Sequence, residues 1–324
     1  MSSARPRIDR LPPAAAHGGP RGLRARIAAG IEAAGGRHDE LDIYAGPAGD
    51  PGLAGGPDSV SWEIHADLAS LVLGGTAAIL MEVLHPSVMD GVYTQSTYRS
   101  DPLRRARNTL GYVLRTTFGS TAAATRVIER VRRMHARVSG TRADGVSYQA
   151  LDPELIAWVH TCIPWAVMRA FERTRRALHP EERDLYLREQ APIGRMGGAD
   201  WVPESMAELE DYVERMRPKL SMNSQTVDFL GFVEGRVDRA PAGRKDLLER
   251  WIAVRASMSL MPEWARRMTG THVPDAVHRA LLSPVDRLKA GLIRWAVPAP
   301  PCVELARARA RGRGAPASTP APAS

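Results

Sequence analysis

"SDPLRRARNTLGYVLRTTFGSTAAATRVIERVRRMHARVSG", residues 100–140, reads as two helices meeting at a tight turn. Ser100 or Asp101 is placed to cap the first, Pro102 sits in its first turn, and Gly119 stops it. Leu103, Ala106, Leu110, Val113 and Thr117 recur along it as an apolar stripe. The second helix opens at a Ser120/Thr121 cap and is expected to run to Gly140. Along it Ile128, Val131, His135 and Val138 fall at spacings of three, four and three, flanked by Val127 and Met134. Arg126, Arg130, Arg133 and Arg137 make an opposed stripe. Long charged side chains belong on the wet face, so the spacing points the His135 imidazole inward.

The same grammar repeats along the chain. "LDPELIAWVHTCIPWAVMRAFERTRRAL" (151–178) again opens on Asp-Pro, with a kink expected at Pro164. "ADLASLVLGGTAAILMEVL" (66–84) is the longest apolar stretch and approaches the ~20 residues of a bilayer span. Asp67 and Glu82 at its ends, and Gly74-Gly75 inside it, favour a buried helix instead. Further helices are expected over 181–190, 205–217, 244–259 and 274–295. Alternating strand patterns are nearly absent, and no repeat is visible. The expectation is a single all-α domain over 59–298. A flexible Gly/Pro/Ala-rich segment, 1–58, precedes it, with a hint of helix at Leu23–Ala34. A disordered tail, basic and then Pro/Ala-rich, follows over 299–324.

The chain has 324 residues, 44% hydrophobic and 25% charged, which is ordinary for a globular protein. Cys162 and Cys302 form neither a metal-binding pair nor a disulfide framework, which indicates a reducing compartment. The net charge of +8 invites a nucleic-acid or membrane reading, but much of it is local. Arg307, Arg309, Arg311 and Arg313 lie together in "ARARARGRG", a run expected to be solvated. There is no RNA or DNA module and no interleaving of aromatic and basic residues. The opening "MSSARPRIDRLPPAAAHGGPRG" lacks the apolar core of a secretory signal. These readings lead to a cytoplasmic protein with no nucleic-acid partner and no integral membrane span.

The phosphate-cradling GxxxxGK[ST], GxGxxG, GxSxG and HExxH patterns are all missing. What remains is a set of histidines in helical contexts: His65, His85, His135 and His160. His160 shares a stripe with Ile156, Ile163 and Val167. A lone inward histidine is usually a hydrogen-bonded core residue. Several in one helical protein also suit a haem pocket, whose iron takes a proximal imidazole. Arg105 and Thr109, four residues apart, share a face that carries Tyr112 and has Asn108 beside it. Alone they read as an exposed arginine and a threonine at the core edge. Beside an iron, the arginine would hold a propionate or stabilise charge on oxygen, and the threonine would bond dioxygen. His85, in "LHPS", reads as a structural corner, and His65 as a capping or hydrogen-bonding residue in the first turn of its helix. Trp158, Trp165, Tyr148, Met81, Met89 and Met134 read as core.

Five stretches occur in a telling order: "WEIHADLASLVLGGTAAILMEVLHPSVMDGV", "YRSDPLRRARNTLGYVLRTTFGS", "RVRRMHARVSG", "DGVSYQALDPELIAWVH" and "VPESMAELEDYVERMRP". Over about residues 60–295 the chain resembles one haem-dependent oxygenase family. That family groups the fungal mycophenolic-acid pathway oxygenase with the bacterial latex-clearing rubber oxygenases. The resemblance implies a globin-like helical fold, haem b and dioxygen as co-substrate. It also implies an apolar, unsaturated small-molecule or polyisoprenoid-like substrate. The family's proximal histidine falls in the motif matched by "RRMHARV", which selects His135; its distal Arg and Thr match Arg105 and Thr109. Asn108 stands where many relatives carry a basic residue, so a lysine-ligated resting iron is not expected. "TCIPWAVM", after His160, departs from the family's commoner pattern, and no residue here matches the rubber oxygenases' catalytic glutamate. Two alternatives stand beside an oxygenase: a non-catalytic haem sensor or carrier, and a helical scaffold without haem.

Overall fold

The computed structural model describes residues 38–236, 254–271, 283–297 and 300–312, with single positions outside these ranges. Most of the expected helix at Leu23–Ala34, and much of that over 244–259, lie outside the described residues; the one expected over 274–295 is helical from Ser283, with six of its earlier positions outside them.

The fold is all-α, built on one lengthwise helix pair. Ser59 caps α1 (Val60–Ala66), its hydroxyl accepting from the Trp62 amide at 3.1 Å. At Asp67 the chain bends by 91° into α2 (Leu68–Glu82), the long apolar stretch, most of which is buried. α2 lies along α6 (Pro153–Thr174), which continues through Pro164. Gly74 sets their separation: a Cβ there would sit 2.5 Å from Val167 Cα. Only a glycine lets these two backbones meet. Among the described residues no single helix is long and apolar enough to cross a membrane; the bent α1–α2 pair qualifies only by length and composition.

Local chemistry fixes the remaining boundaries. His85 caps α3 (Pro86–Gln95), accepting from the Ser87 amide, so it is the expected corner. Asp101 caps α4 (Pro102–Phe118), which ends at Gly119, and Ser120 caps α5 (Thr121–His135). After α6 come α7 (Pro180–Gly197) and α8 (Met206–Met216), then α9 (Ser224–Glu234) and α10 (Glu263–Met268). α11 (Ser283–Ala296) and α12 (Pro301–Ala310) close the described chain. Trp62, Trp158, Phe118, Phe171 and Tyr186 form the heart of the core, each stabilising it by about 1.5–3 kcal/mol.

Four expectations need correction. The helix expected to reach Gly140 ends at His135, because the chain turns there, with the Val138 amide donating to the His135 carbonyl at 2.9 Å. It then enters a short antiparallel hairpin, β1 (Ser139–Thr141) with β2 (Ser147–Gln149), pairing Gly140 with Tyr148. A Cβ at Gly140 would lie 2.9 Å from the Tyr148 hydroxyl, so this glycine accommodates a ring rather than ending a helix. Met134, expected in the core, is 55% exposed, since it shares the arginine side of the last turn. α9 was not anticipated; "QTVDFLGFVE" has no clean helical stripe, and its Asn223 cap starts it. The arginine run 307–313, expected to be solvated, holds a buried member, Arg309 of α12. Tyr44 and Ala54 are buried ahead of α1.

Candidate functional site

The α4–α5 hairpin positions the central residues. Arg105 and His135 lie almost equally far from the Gly119–Ser120 turn, and each helical residue advances 1.5 Å, so an antiparallel pair brings them level. Their electrostatic contact agrees. The His135 pKa is lowered by burial and then by the Arg105 guanidinium. A helix C-terminus favours imidazolium by about 0.3–1 kcal/mol. Here burial and Arg105 outweigh that preference, and the half-buried ring is neutral.

His160 of α6 lies close enough to feel the charge of this ring. Burial, followed by the nearness of His135, pulls its pKa down to about 4. α7 gives the His160 ring its berth through two glycines. A Cβ at Gly197 would lie 2.9 Å from His160 Nε2, and one at Gly194 3.2 Å from His160 Cβ. Tyr112 of α4 meets the same ring edge-on, with centroids 6.2 Å apart. Among the described residues, neither His135 nor His160 has a hydrogen-bond partner for its ring nitrogens. His65 shows the contrast. It is buried near the end of α1, not in its first turn, with Nδ1 2.6 Å from Thr117 Oγ1 and Nε2 2.8 Å from the Tyr186 hydroxyl. Both its nitrogens serve the core.

Arg105 is half-buried, and its Nη1 donates to Ser96 Oγ at 2.6 Å. Its charge is felt by Glu82, the last residue of α2, which in the sequence reads only as the polar end of an apolar run. Glu82 is buried, and its carboxyl has no hydrogen-bond partner among the described residues. Burial raises its pKa to about 7 against the opposing pull of Arg105. The one signal in the sequence was an acidic residue closing an apolar run just before "LHP". Thr109 shares the Arg105 face as expected, but it is exposed, and its hydroxyl donates to the Arg105 carbonyl at 3.2 Å. Asn108 beside it is also exposed. Trp158, Trp165 and Tyr148 are buried, as expected of core residues.

A cavity of about 20 Å³ opens beside His160, walled by Tyr112, Thr116, Ile163, Gln190 and Ile193. That is room for one water. A larger cleft of about 380 Å³ is lined by Glu214, Arg217, Pro218, Trp264 and Met268. It shares no residue with the histidine cluster, and its charges are already paired, Arg217 with Glu214 at 2.8 Å. Among the described residues no group of three or more His, Cys, Asp or Glu side chains could hold a bare metal ion. The cluster therefore offers single imidazoles, one guanidinium and one buried carboxyl.

The sequence profile described as "ER-bound oxygenase mpaB/B'/Rubber oxygenase, catalytic domain" matches residues 62–295, more than half of the chain. The chain belongs to this family. The matched region of this oxygenase family runs from α1 into α11 and contains the whole His135–Arg105–His160 cluster. Searches of curated proteins and of solved structures found no match to the chain.

Proposed function

We propose that the protein is a haem b-dependent oxygenase that takes dioxygen and oxidises an apolar, unsaturated small-molecule or polyisoprenoid-like substrate. One observation carries the reading: two neutral imidazoles, near enough to feel each other's charge and without hydrogen-bond partners among the described residues, lie near a half-buried guanidinium inside the oxygenase domain. The free N–H of an iron-bound imidazole ordinarily goes to an acceptor, which His135 lacks among the described residues, but a neutral imidazole has a ring nitrogen lone pair to give an iron. The donor set therefore fits haem. The cavity at His160 is far smaller than the ~300 Å³ or more of ordinary cofactor sites. In this reading the porphyrin would lie against the α4–α5 hairpin, where Val131 and His135 are half-buried and Thr109 is exposed.

In this reading His135 would hold the haem iron, and Arg105 would pair with a propionate or with negative charge near the iron. His160, held neutral against Gly194 and Gly197, lines the pocket. Bound there, haem supplies the oxygen activation that amino-acid side chains cannot. Ser96 fixes the direction of the guanidinium, and Thr109 ties its own turn to the Arg105 carbonyl. The buried, unpaired thiols of Cys162 and Cys302 fit a reducing compartment such as the cytoplasm. The test is to incubate the purified chain with haemin and record its spectrum, then its oxygen uptake with apolar olefins. A stoichiometric Soret band and olefin-dependent uptake are expected. A chain that stays colourless overturns the haem assignment, and a red chain without uptake makes it a carrier or sensor.

A further inference from the structure

Amphipathic helices ordinarily bury their apolar face and show their charges to water. α11 does the reverse. Toward the protein it turns Asp286, buried and 3.5 Å from Arg173 Nη1, and Arg294, whose guanidinium donates to both Asp67 oxygens at 2.8 and 2.6 Å. Arg294 also donates to the Thr174 carbonyl at 2.9 Å, and the small Ala290 and Ala296 share that face with the half-buried Ile293. Outward it turns Leu288, 67% exposed, Leu292, 38% exposed, and Trp295, 50% exposed. Spacings of four and three place these three on one stripe. The exposed charges of the helix, Arg287 and Lys289, are both positive, while its one acid faces in. The Arg24 guanidinium adds another cation, 5.9 Å from the Trp295 ring.

We infer that this face of α11 docks on an anionic phospholipid surface. A leucine–tryptophan stripe edged by cations matches the boundary between acyl chains and acidic headgroups. At about 21 Å the helix is too short to span the ~30 Å apolar core, so it lies in the plane of the interface. A second copy of the chain is a poorer occupant. A two-fold contact through this stripe would set Arg287 and Lys289 close to their own copies. The net charge of +8 opposes self-pairing and favours an acidic surface. The inference stands independently of the haem reading.

The test is co-sedimentation of the full chain with vesicles of phosphatidylcholine alone, or with one third phosphatidylglycerol, alongside sedimentation velocity without lipid. Binding to the acidic vesicles at least tenfold tighter than to the neutral ones is expected. The double variant Leu288→Ser, Leu292→Ser keeps the net charge and should weaken that binding at least tenfold with the thermal melt unchanged. Lys289→Gln should weaken it about fivefold. Undiminished binding by the double variant would assign the lipid affinity to cations elsewhere and overturn the proposal. So would the absence of vesicle binding, or a wild-type dimer that the double variant abolishes.

Discussion

His65 and His135 are both helical imidazoles held neutral by burial, and their neighbours give them opposite roles. His65, with its pKa lowered to about 3, has both nitrogens engaged by Thr117 and Tyr186. His135 has neither nitrogen engaged among the described residues and feels the charge of Arg105. His135→Ala should therefore lose stoichiometric haem, while His160→Ala keeps it with a weaker melt from lost packing. A red His135→Ala beside a colourless His160→Ala would transfer the ligand role to α6. Glu82 gives a second test at this scale. Its folded pKa of about 7 lies above the ordinary 4.5, so the folded state keeps a proton that the unfolded state releases between those values. Its contribution to stability is complete below pH 4.5 and disappears as pH rises through 7. Glu82→Gln stays neutral, so relative to wild type it should gain stability between pH 5 and 8, by up to about 3 kcal/mol. Melts at the two pH values decide it; parallel pH trends in both proteins would mean that Glu82 titrates normally. Sequence spacing placed Arg105, His135 and His160 on the helices that carry them, because the period of each is plain. It missed Glu82, whose role depends on which helix covers it.

At the level of elements, the glycine pair in α2 shows what periodicity cannot supply. Gly74-Gly75 reads as one interruption of an apolar run, yet the two positions have opposite surroundings. A Cβ on Gly74 would meet Val167 Cα at 2.5 Å and the Ala166 carbonyl oxygen at 2.9 Å, backbone atoms that cannot rotate away. A Cβ on Gly75 would meet nothing within 4 Å. Helix propensity alone favours alanine by about 1 kcal/mol at either position. Gly75→Ala should therefore stabilise the protein by up to about 1 kcal/mol. Gly74→Ala should destabilise it by about 1–3 kcal/mol as α2 and α6 are pushed apart. Denaturant titration separates the two, and equal effects would mean that the helices do not touch at Gly74. Element boundaries were legible wherever a cap sat before an apolar stripe, as at Asp101, Ser120 and Asp152. They failed at His135 and over α9, where tertiary contacts override the local pattern.

Across the whole molecule, the two ends of the described chain close over the hairpin that carries the site. Arg309, in a run that reads as solvated, points into the protein from α12. Its Nε donates to the Asp50 carbonyl at 2.9 Å, and its Nη1 to the carbonyls of Tyr44 and Phe118 at 2.7 and 2.8 Å. Asp50 in turn accepts from the Thr121 amide at 2.8 Å and its hydroxyl at 2.6 Å, which pins the start of α5. One guanidinium thus links residues 44–50, the end of α4 and α12. The alternation of arginine with alanine could not reveal this, because nothing in it distinguishes Arg309 from Arg307. Arg307 is exposed, so Arg307→Ala should change stability by less than about 0.5 kcal/mol. Arg309→Ala leaves buried carbonyls without a donor, at about 1–3 kcal/mol for each that water does not reach, and should cost about 3–5 kcal/mol. Arg309→Lys keeps the charge but not the planar fork, and should recover only part of that. Urea titrations of the three variants measure the ordering. Equal small losses at both arginines would return residues 301–310 to the solvated tail. A large loss confined to Arg309 would also loosen the α4–α5 junction, so haem affinity should fall with it even though Arg309 touches neither Arg105 nor His135.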